Sequence, residues 1–350
     1  MRRVDARKLY WATSLVFALA TSTIFTLDMV YQVKVAGLDA LQLVLVGTAL
    51  EATCFLFEIP TGVVADLYSR RLSTVIGFVL VGLAFAVEGL FPRFGIILLA
   101  QAGWGLGWTF ISGAHDAWIA DEVGADNAGP VYMRSTQMSQ IGALLGIPLA
   151  MVLGSTRLAL PIVVGGLVIA LWGLVLALIM PEDHFTPAPP EKRESWRAML
   201  STAREGASLV RRRPILVTLM LVSLFMGLSS EGFDRLWTAH LLENFSLQAW
   251  APLGDAIWFG LIAAVCNVTT LLATEWARRN VDSQDGHRVG RTLAWIYGLM
   301  VIGLGALTVA GGLAPALAGL VIYSALRGTA EPLETTTIEV TIRLVASGSR

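Results

Sequence analysis

The decapeptide GVVADLYSRR, from Gly62 to Arg71, lies between two long apolar stretches. Three charged residues, Asp66, Arg70 and Arg71, stand within its last six positions. Each flanking stretch is about as long as the roughly 20 residues that a helix needs to cross a bilayer. A compact group of charges between two such stretches indicates a short connection at a membrane surface.

The composition of the whole chain favours a membrane protein. Of the 350 residues, 55% are hydrophobic and 15% are charged, whereas about 25% of the residues in soluble domains are charged. The net charge of −1 says little by itself, because orientation in a membrane follows the placement of Lys and Arg. The composition therefore predicts an all-α polytopic membrane protein and gives no support to a nucleic-acid partner.

The apolar stretches predict ten transmembrane helices. Most of the 25 Lys and Arg residues fall in alternate connections, on the same side as the N-terminus. The positive-inside rule places that side in the cytoplasm, which predicts a multi-pass protein of a bacterial cytoplasmic (inner) membrane. The predicted helices lie near residues 10–32, 40–65, 72–91, 94–119, 131–153, 158–180, 214–242, 252–278, 291–311 and 313–334.

The longest polar stretch divides these helices into a group of six and a group of four. Residues 1–180 are predicted to form an N-terminal six-helix bundle, and residues 214–334 a C-terminal bundle of four helices. Residues 181–213 begin as a Pro-rich linker and continue as an amphipathic helix at the membrane surface. Residues 335–350 alternate polar and apolar side chains, and an irregular tail is expected there.

Similar residues recur six helices apart, which indicates a duplicated unit. SGAHDAW, with Asp116, resembles RGTAEPL, with Glu331, near the ends of the fourth and tenth predicted helices. In this context GVVADLYSRR resembles the G-x-x-x-D-x-x-x-R-[RK] signature of the major facilitator superfamily. The resemblance implies two six-helix pseudo-repeats, the second truncated by its last two helices, and solute transport by alternating access.

Signatures of the drug-efflux branch of that superfamily are met in part. The branch commonly carries an arginine four positions before a G-x-G, and Gln101 occupies that position here. GALLGIP, from Gly142 to Pro148, resembles the glycine-rich stretch of its fifth helix. The resemblance implies export of a small amphipathic solute or drug by proton antiport.

The decapeptide is predicted to form a cytoplasmic gate. Gly62 would let the second helix approach a neighbour closely, and Asp66 would accept hydrogen bonds at the N-terminus of another helix. Arg70 and Arg71 would pair with Asp121 or Glu122 at the end of the fourth helix. The alternative is that the two arginines are ordinary cytoplasmic flanking charges.

Two acids in the second predicted helix are candidates for proton coupling. Glu51 lies near the predicted bilayer midplane, where an ionisable side chain is costly and marks a functional site. Glu58 follows seven residues later on the same helix face. Either carboxylate would load and release a proton as the cavity alternates. A static hydrogen bond between helices is the alternative for Glu51.

The remaining candidates would line the central cavity. Acids on the first, fourth, seventh and tenth helices would form rims at its two mouths, unless they lie close enough to the helix ends simply to reach water. Aromatic side chains would suit flat solutes, although aromatic residues near helix ends also anchor at the membrane interface. These candidates are Asp28, Tyr31, Gln101, Trp104, Trp108, Asp116, Glu231, Glu331 and Arg235, the last expected to pair with Glu231.

Motifs for catalysis, phosphate binding or metal binding were not found, so the chain is not predicted to be an enzyme and no cofactor or metal is expected. The predicted function is secondary active export by a monomer whose partners are the solute, protons and the lipid bilayer. An importer or uniporter of the same fold, and a truncated membrane protein without transport activity, are the alternatives.

Overall fold

The computed structural model describes the backbone of residues 4–186, 214–280 and 286–347. Side chains are described over the same ranges except for most of 214–229 and all of 286–289 and 331–347. In these ranges the structure is helical, which confirms the all-α part of the predicted fold class. The helices are α1 (Ala6–Phe25), α2 (Asp28–Lys34), α3 (Ala40–Leu67), α4 (Arg70–Leu90), α5 (Phe94–Val123), α6 (Ala125–Thr156), α7 (Leu160–Ile179), α8 (Pro214–Asn244), α9 (Leu247–Trp250), α10 (Asp255–Asn280), α11 (Gly286–Val309) and α12 (Leu313–Ser347).

Nine of the helical segments in the described residues are long and apolar enough to span a membrane, where the sequence predicted ten. One of the nine is Ala6–Lys34, which combines α1 and α2. The predicted span at 214–242 corresponds to α8, a 31-residue helix for which most side chains before Ser230 lie outside the description. The count therefore differs at the one predicted span that is only partly described.

Polar side chains at the helix starts explain where several helices begin. Asp5 accepts a hydrogen bond from the backbone N–H of Arg7 at the start of α1. Asp39 and Gln42 form a reciprocal capping box at the start of α3. Such caps satisfy backbone donors that have no partner within the helix. Each cap therefore fixes the residue at which its helix begins.

Small residues let the helices of the first bundle pack closely. Helix α4 packs against α5 and α7, and α1 packs against α6 and α7. A Cβ atom on Gly82 of α4 would lie 2.5 Å from the carbonyl oxygen of Gly166 on α7. On α6, Gly142 and Gly146 face the backbone of α1 in the same way. Small residues at helix crossings are typical of membrane proteins, because they bring the backbones together.

The chain forms two compact units whose boundary lies within α8. The first comprises Met1–Ala239 with Asp255–Gly260, and the second His240–Gly254 with Leu261–Arg350. The sequence placed the division at the linker of residues 181–213 instead, most of which lies outside the described residues. The first unit includes α8 as far as Ala239, and within that part Glu231 and Arg235 lie beside Gly47 of α3, as described below.

The second unit has its own internal contacts. Gly303 of α11 and Gly319 of α12 approach each other closely, since a Cβ atom on Gly303 would lie 3.0 Å from the Gly319 carbonyl oxygen. The hydroxyl of Thr270 on α10 donates to the carbonyl of Ser324 on α12. Helix α12 continues to Ser347, so residues 335–347 are helical and not the irregular tail expected from their polarity. The absence of Pro and Gly between Leu333 and Ser347 permits this extension.

Candidate functional site

The decapeptide is part of two helices, not of a loop. Gly62 and Asp66 belong to the last turns of α3, and Arg70 and Arg71 begin α4, leaving Tyr68 and Ser69 between the helices. Among the described residues, no atom lies within 4 Å of a Cβ built on Gly62. The predicted close approach at Gly62 is therefore wrong. The prediction failed because the glycine faces away from the helices that pack against α3.

An ion pair joins the start of α4 to the end of α5. Arg70 Nε lies 2.6 Å from Asp121 Oδ2, and both side chains are partly exposed. Arg70 Nη1 also lies 3.4 Å from Asp66 Oδ1. Asp66 is 60% exposed and contacts the arginine one turn later, not the N-terminus of another helix. We call the end of the first unit that contains this pair the Arg70 side.

Glu182, which directly follows α7, holds the start of α4. Its Oε1 accepts from the backbone N–H of Arg71 at 3.0 Å, and its Oε2 accepts from the Ser69 hydroxyl at 2.6 Å. The Arg71 guanidinium donates to the carbonyl of Ala177 on α7, and so does not pair with an acid of α5. A carboxylate at a helix N-terminus is favourable because of the helix dipole. The sequence analysis missed Glu182, although its position on the same predicted side as SRR was a usable signal.

The next residues of the same segment bind the end of α5. The backbone N–H groups of Asp183 and His184 donate to Glu122 Oε1, at 2.8 and 3.1 Å. The indole N–H of Trp118 donates to the carbonyl oxygen of Pro181 at 2.6 Å. Residues 181–184 thus connect α4, α5 and α7 at the Arg70 side.

The Arg70–Asp121 pair is expected to contribute modestly to stability. In a double-mutant cycle with Arg70→Gln and Asp121→Asn, we expect a coupling free energy of about 0.5–1 kcal/mol, because the pair is partly exposed. Thermal unfolding of the purified protein in detergent measures it. The same cycle with Arg70→Gln and Asp126→Asn, where Asp126 is exposed on α6, should give no coupling. A zero value for the first cycle would contradict an energetic role for the pair.

A second group of polar side chains is buried where α1 is followed by α2. Asp28 begins α2 and is only 2% exposed, so it does not reach water as an outer rim would. Gln32, one turn later, donates through Nε2 to Asp28 Oδ2 at 3.2 Å and to Glu88 Oε1 at 2.7 Å. We call this end of the first unit the Asp28 side.

Helices α4 and α5 complete this buried group. Gln101 on α5 donates through Nε2 to Glu88 Oε2 at 2.8 Å. The hydroxyl of Tyr31 donates to the backbone carbonyl of Glu88, also at 2.8 Å. Tyr31 and Gln101 are both fully buried, so the prediction that they line an open cavity is wrong. Their side chains instead surround Glu88, because α2, α4 and α5 meet at this point.

The sequence analysis did not single out Glu88 or Gln32. Glu88 is an acid within the predicted span 72–91, and the cost of an ionisable residue in an apolar helix was the signal that identified Glu51. Glu88 lies near the end of that span, where contact with water is a simple alternative to a functional role. Gln32 follows Asp28 by four residues, which places both on one helix face.

A third group lies where α3 meets α8. Arg235 Nε lies 2.8 Å from Glu231 Oε1, so the predicted pair is present. A Cβ atom on Gly47 of α3 would overlap the Glu231 carboxylate and approach Arg235 Nε to 2.6 Å. Glu51, one turn beyond Gly47, interacts electrostatically with both charged residues. Glu51 lies near the middle of the 28-residue α3, and the described residues leave it exposed.

Two other predicted acids, Glu58 and Asp116, lie elsewhere in the first unit. Glu58 is exposed on α3, and its Oε1 accepts from the Ser112 hydroxyl at 3.1 Å. Asp116 on α5 is exposed, and its Oδ1 accepts from the Tyr10 hydroxyl at 2.6 Å. The side chain of Glu331 lies outside the described residues.

The predicted tryptophans take part in aromatic clusters of the first unit. Trp104 packs against Phe25 and Phe85, with ring centroids 5.2 and 5.1 Å apart. Trp108 stacks on Phe17 and is 40% exposed. Trp108 thus keeps part of its surface uncovered by the described residues.

Comparison with protein families matches residues 9–349 to the family described as Major Facilitator Superfamily. The protein described as "Uncharacterized MFS-type transporter YxaM" from Bacillus subtilis (strain 168) is 23% identical over 208 residues, which are 59% of this chain and 51% of the relative. The match thus spans about half the length of that relative.

Solved transporter structures share the fold. The nucleoside transporter NupG superposes with a TM-score of 0.72 at 13% identity, covering 97% of this chain and 82% of that one. A bacterial homologue of the human lysosomal transporter Spinster, inward-facing and occupied, gives 0.67 at 14% identity, over 94% and 73%. A D-xylose-proton symporter gives 0.63 at 16% identity, over 93% and 80%. At these identities the similarity shows the fold alone.

Proposed function

Because the chain belongs to the Major Facilitator Superfamily, we propose that it exports a small amphipathic solute by alternating access, in exchange for protons. The group of Glu51, Glu231 and Arg235 carries this proposal. It places two carboxylates and one guanidinium at the crossing of α3 and α8. The group has an excess negative charge when both acids are ionised.

An excess negative charge in an apolar setting is neutralised by a cation. A proton bound to Glu51 and a cationic solute held near Glu51 would each neutralise the same negative charge. The proton and the solute therefore compete for binding at Glu51. Competition of this kind is the physical basis of exchange, because each ligand lowers the affinity for the other. Glu51 is the proton carrier in this proposal, since Glu231 is already paired with Arg235.

The Arg70 side is proposed to face the cytoplasm of a bacterium, because most Lys and Arg residues lie in the connections on that side. The Arg70–Asp121 pair then lies at the inner mouth, together with Asp66 and Arg71. Opening the inner mouth would separate residues near α4 and α5, and the partly exposed ion pair is weak enough to be broken and re-formed. These residues form the inner gate in the proposal.

Vesicle transport tests both activity and direction. We expect inverted vesicles containing the chain to accumulate a fluorescent cationic dye from a panel of such dyes when their interior is acidified, and to lose it when the pH gradient is collapsed. Vesicles without the protein are the control. Uptake by right-side-out vesicles driven by an inward proton gradient would favour an importer. The absence of gradient-dependent flux in both orientations would overturn the proposal in favour of a membrane protein without transport activity.

A further inference from the structure

Two carboxylic side chains lie against each other in the interior of the first unit. Asp28 on α2 is 2% exposed, and Glu88 on α4 is 1% exposed. Both accept a hydrogen bond from the same nitrogen, Gln32 Nε2, at 3.2 and 2.7 Å, which brings the two carboxyl groups close together. Two carboxylates cannot form a hydrogen bond unless one of them carries a proton.

The buried group around Asp28 and Glu88 has more hydrogen-bond acceptors than donors. Both oxygens of Glu88 accept from amides, one from Gln32 and one from Gln101. Asp28 Oδ1 has no hydrogen-bond partner among the described residues, and neither do the amide oxygens of Gln32 and Gln101. All three residues are at least 98% buried. Buried acceptors without a donor are costly, so this group is arranged to receive a donor.

The surrounding charges do not neutralise both acids. Arg235 of α8 acts electrostatically on Asp28, but its Nε is paired with Glu231. Lys34, at the end of α2, pairs with Asp255 at 2.6 Å. Tyr31 donates its hydroxyl to backbone carbonyls, and α5 contributes the uncharged Gln101. The guanidinium of Arg235 is therefore shared by three acids, which are Glu231, Asp28 and Glu51.

We propose that Asp28 and Glu88 form a proton-binding site in which one proton is held by the pair at neutral pH. Two buried like charges in contact are strongly unfavourable, and protonation of one of them removes most of this cost. The pair holds this proton between its two carboxyl groups, so that one of them donates to the other. Asp28 Oδ1, which has no partner among the described residues, is then available for that hydrogen bond.

The acids of this site differ from those around Glu51, although Arg235 acts on both groups, and the site does not depend on the solute or on the direction of transport. The bound proton joins α2 to α4 and α5, because it converts a repulsive contact between two helices into a hydrogen bond. Loss of the proton would leave two adjacent negative charges, so that α2 and α4 would be driven apart. The proton consequently holds the Asp28 side of the first unit closed.

Infrared spectroscopy of the full chain in detergent tests this site without a transport assay. A protonated carboxylic acid has a C=O stretching band that a carboxylate lacks and that shifts in D₂O. We expect the wild type to show this band at neutral pH. Asp28→Asn and Glu88→Gln should each remove it, the second because Asp28 without a charged neighbour ionises beside Arg235. The matched control Asp126→Asn, which changes an exposed acid on α6, should keep it.

Two measurements on the wild type keep the test decisive if the variants fail to fold. Labelling the side-chain carboxyl with ¹³C in aspartate or in glutamate should shift the band in one of the two samples, which identifies the residue that carries the proton. Exchanging K⁺ for Na⁺ at constant pH should not change it. A wild type without the band at neutral pH would overturn the proposal. Loss of the band in Na⁺ would do so as well, because the site would then bind sodium in place of the proton.

Discussion

Replacing Glu51 by glutamine is expected to abolish dye export driven by the pH gradient, with a loss of at least about tenfold in initial rate. Coupling between two ligands typically changes affinities by about 5–150-fold, and Glu51→Gln removes the group at which proton and solute compete. Glutamine keeps the size and hydrogen-bonding capacity of the side chain but cannot release a proton. Dye accumulation in inverted vesicles, at matched amounts of protein in the membrane, measures the effect.

Two further variants show whether that loss is specific to Glu51. Asp126→Asn removes an exposed acid outside the candidate site and should transport like the wild type. Glu58→Gln removes the acid that lies seven residues further along α3, and a smaller effect is expected because Glu58 is bonded to Ser112 and lies away from Arg235. Unchanged transport by Glu51→Gln would exclude Glu51 as the proton carrier and leave Glu58 as the remaining candidate on this helix.

Replacing Gly82 by valine is expected to destabilise the first unit by about 3 kcal/mol, at the upper end of the usual range for overpacking. A Cβ atom at this position would lie 2.5 Å from the carbonyl oxygen of Gly166 and 2.7 Å from Cα of Ala170. These are backbone atoms of α7, so no rotamer change relieves the overlap and the two helices must separate. The thermal unfolding temperature of the protein in detergent measures the loss.

Gly113→Val provides the matched control for this substitution. Gly113 lies on α5, and among the described residues nothing approaches within 4 Å of a Cβ built on it. The two substitutions change intrinsic helix propensity by the same amount, so the difference between them isolates the contact with α7. Equal unfolding temperatures for the two variants would show that the α4–α7 crossing tolerates a larger side chain.

The positions of the helices follow from the sequence because a long apolar run has few alternatives in a membrane. Residues 72–91 were predicted as a span, and α4 covers Arg70–Leu90. The sequence predicts the end of α12 near Leu333, where polar residues begin, whereas the helix continues to Ser347. Polarity alone does not end a helix, and this stretch contains neither Pro nor Gly, the residues that disfavour a helix most strongly.

The contacts between side chains were less predictable because they depend on which helices meet. Asp28 and Glu88 are 60 positions apart, and only the packing of α2 against α4 brings them together. Gly62 and Gly82 are both glycines of apolar helices, yet only Gly82 faces a neighbouring backbone. The Glu231–Arg235 pair was predictable because a separation of four residues fixes the geometry within one helix. The correct prediction of a side-chain contact therefore rested on the spacing of two residues along one helix.

The segment that follows α7 has a mechanical consequence. Residues 181–184 are attached to the start of α4 and to the end of α5 by hydrogen bonds from or to Pro181, Glu182, Asp183 and His184. A tension applied through the chain beyond this segment is therefore delivered to the ends of α4 and α5 before it reaches α7. Those are the two helix ends that the Arg70–Asp121 pair joins. The polypeptide that follows residue 184 thus pulls on the same joint that the ion pair closes.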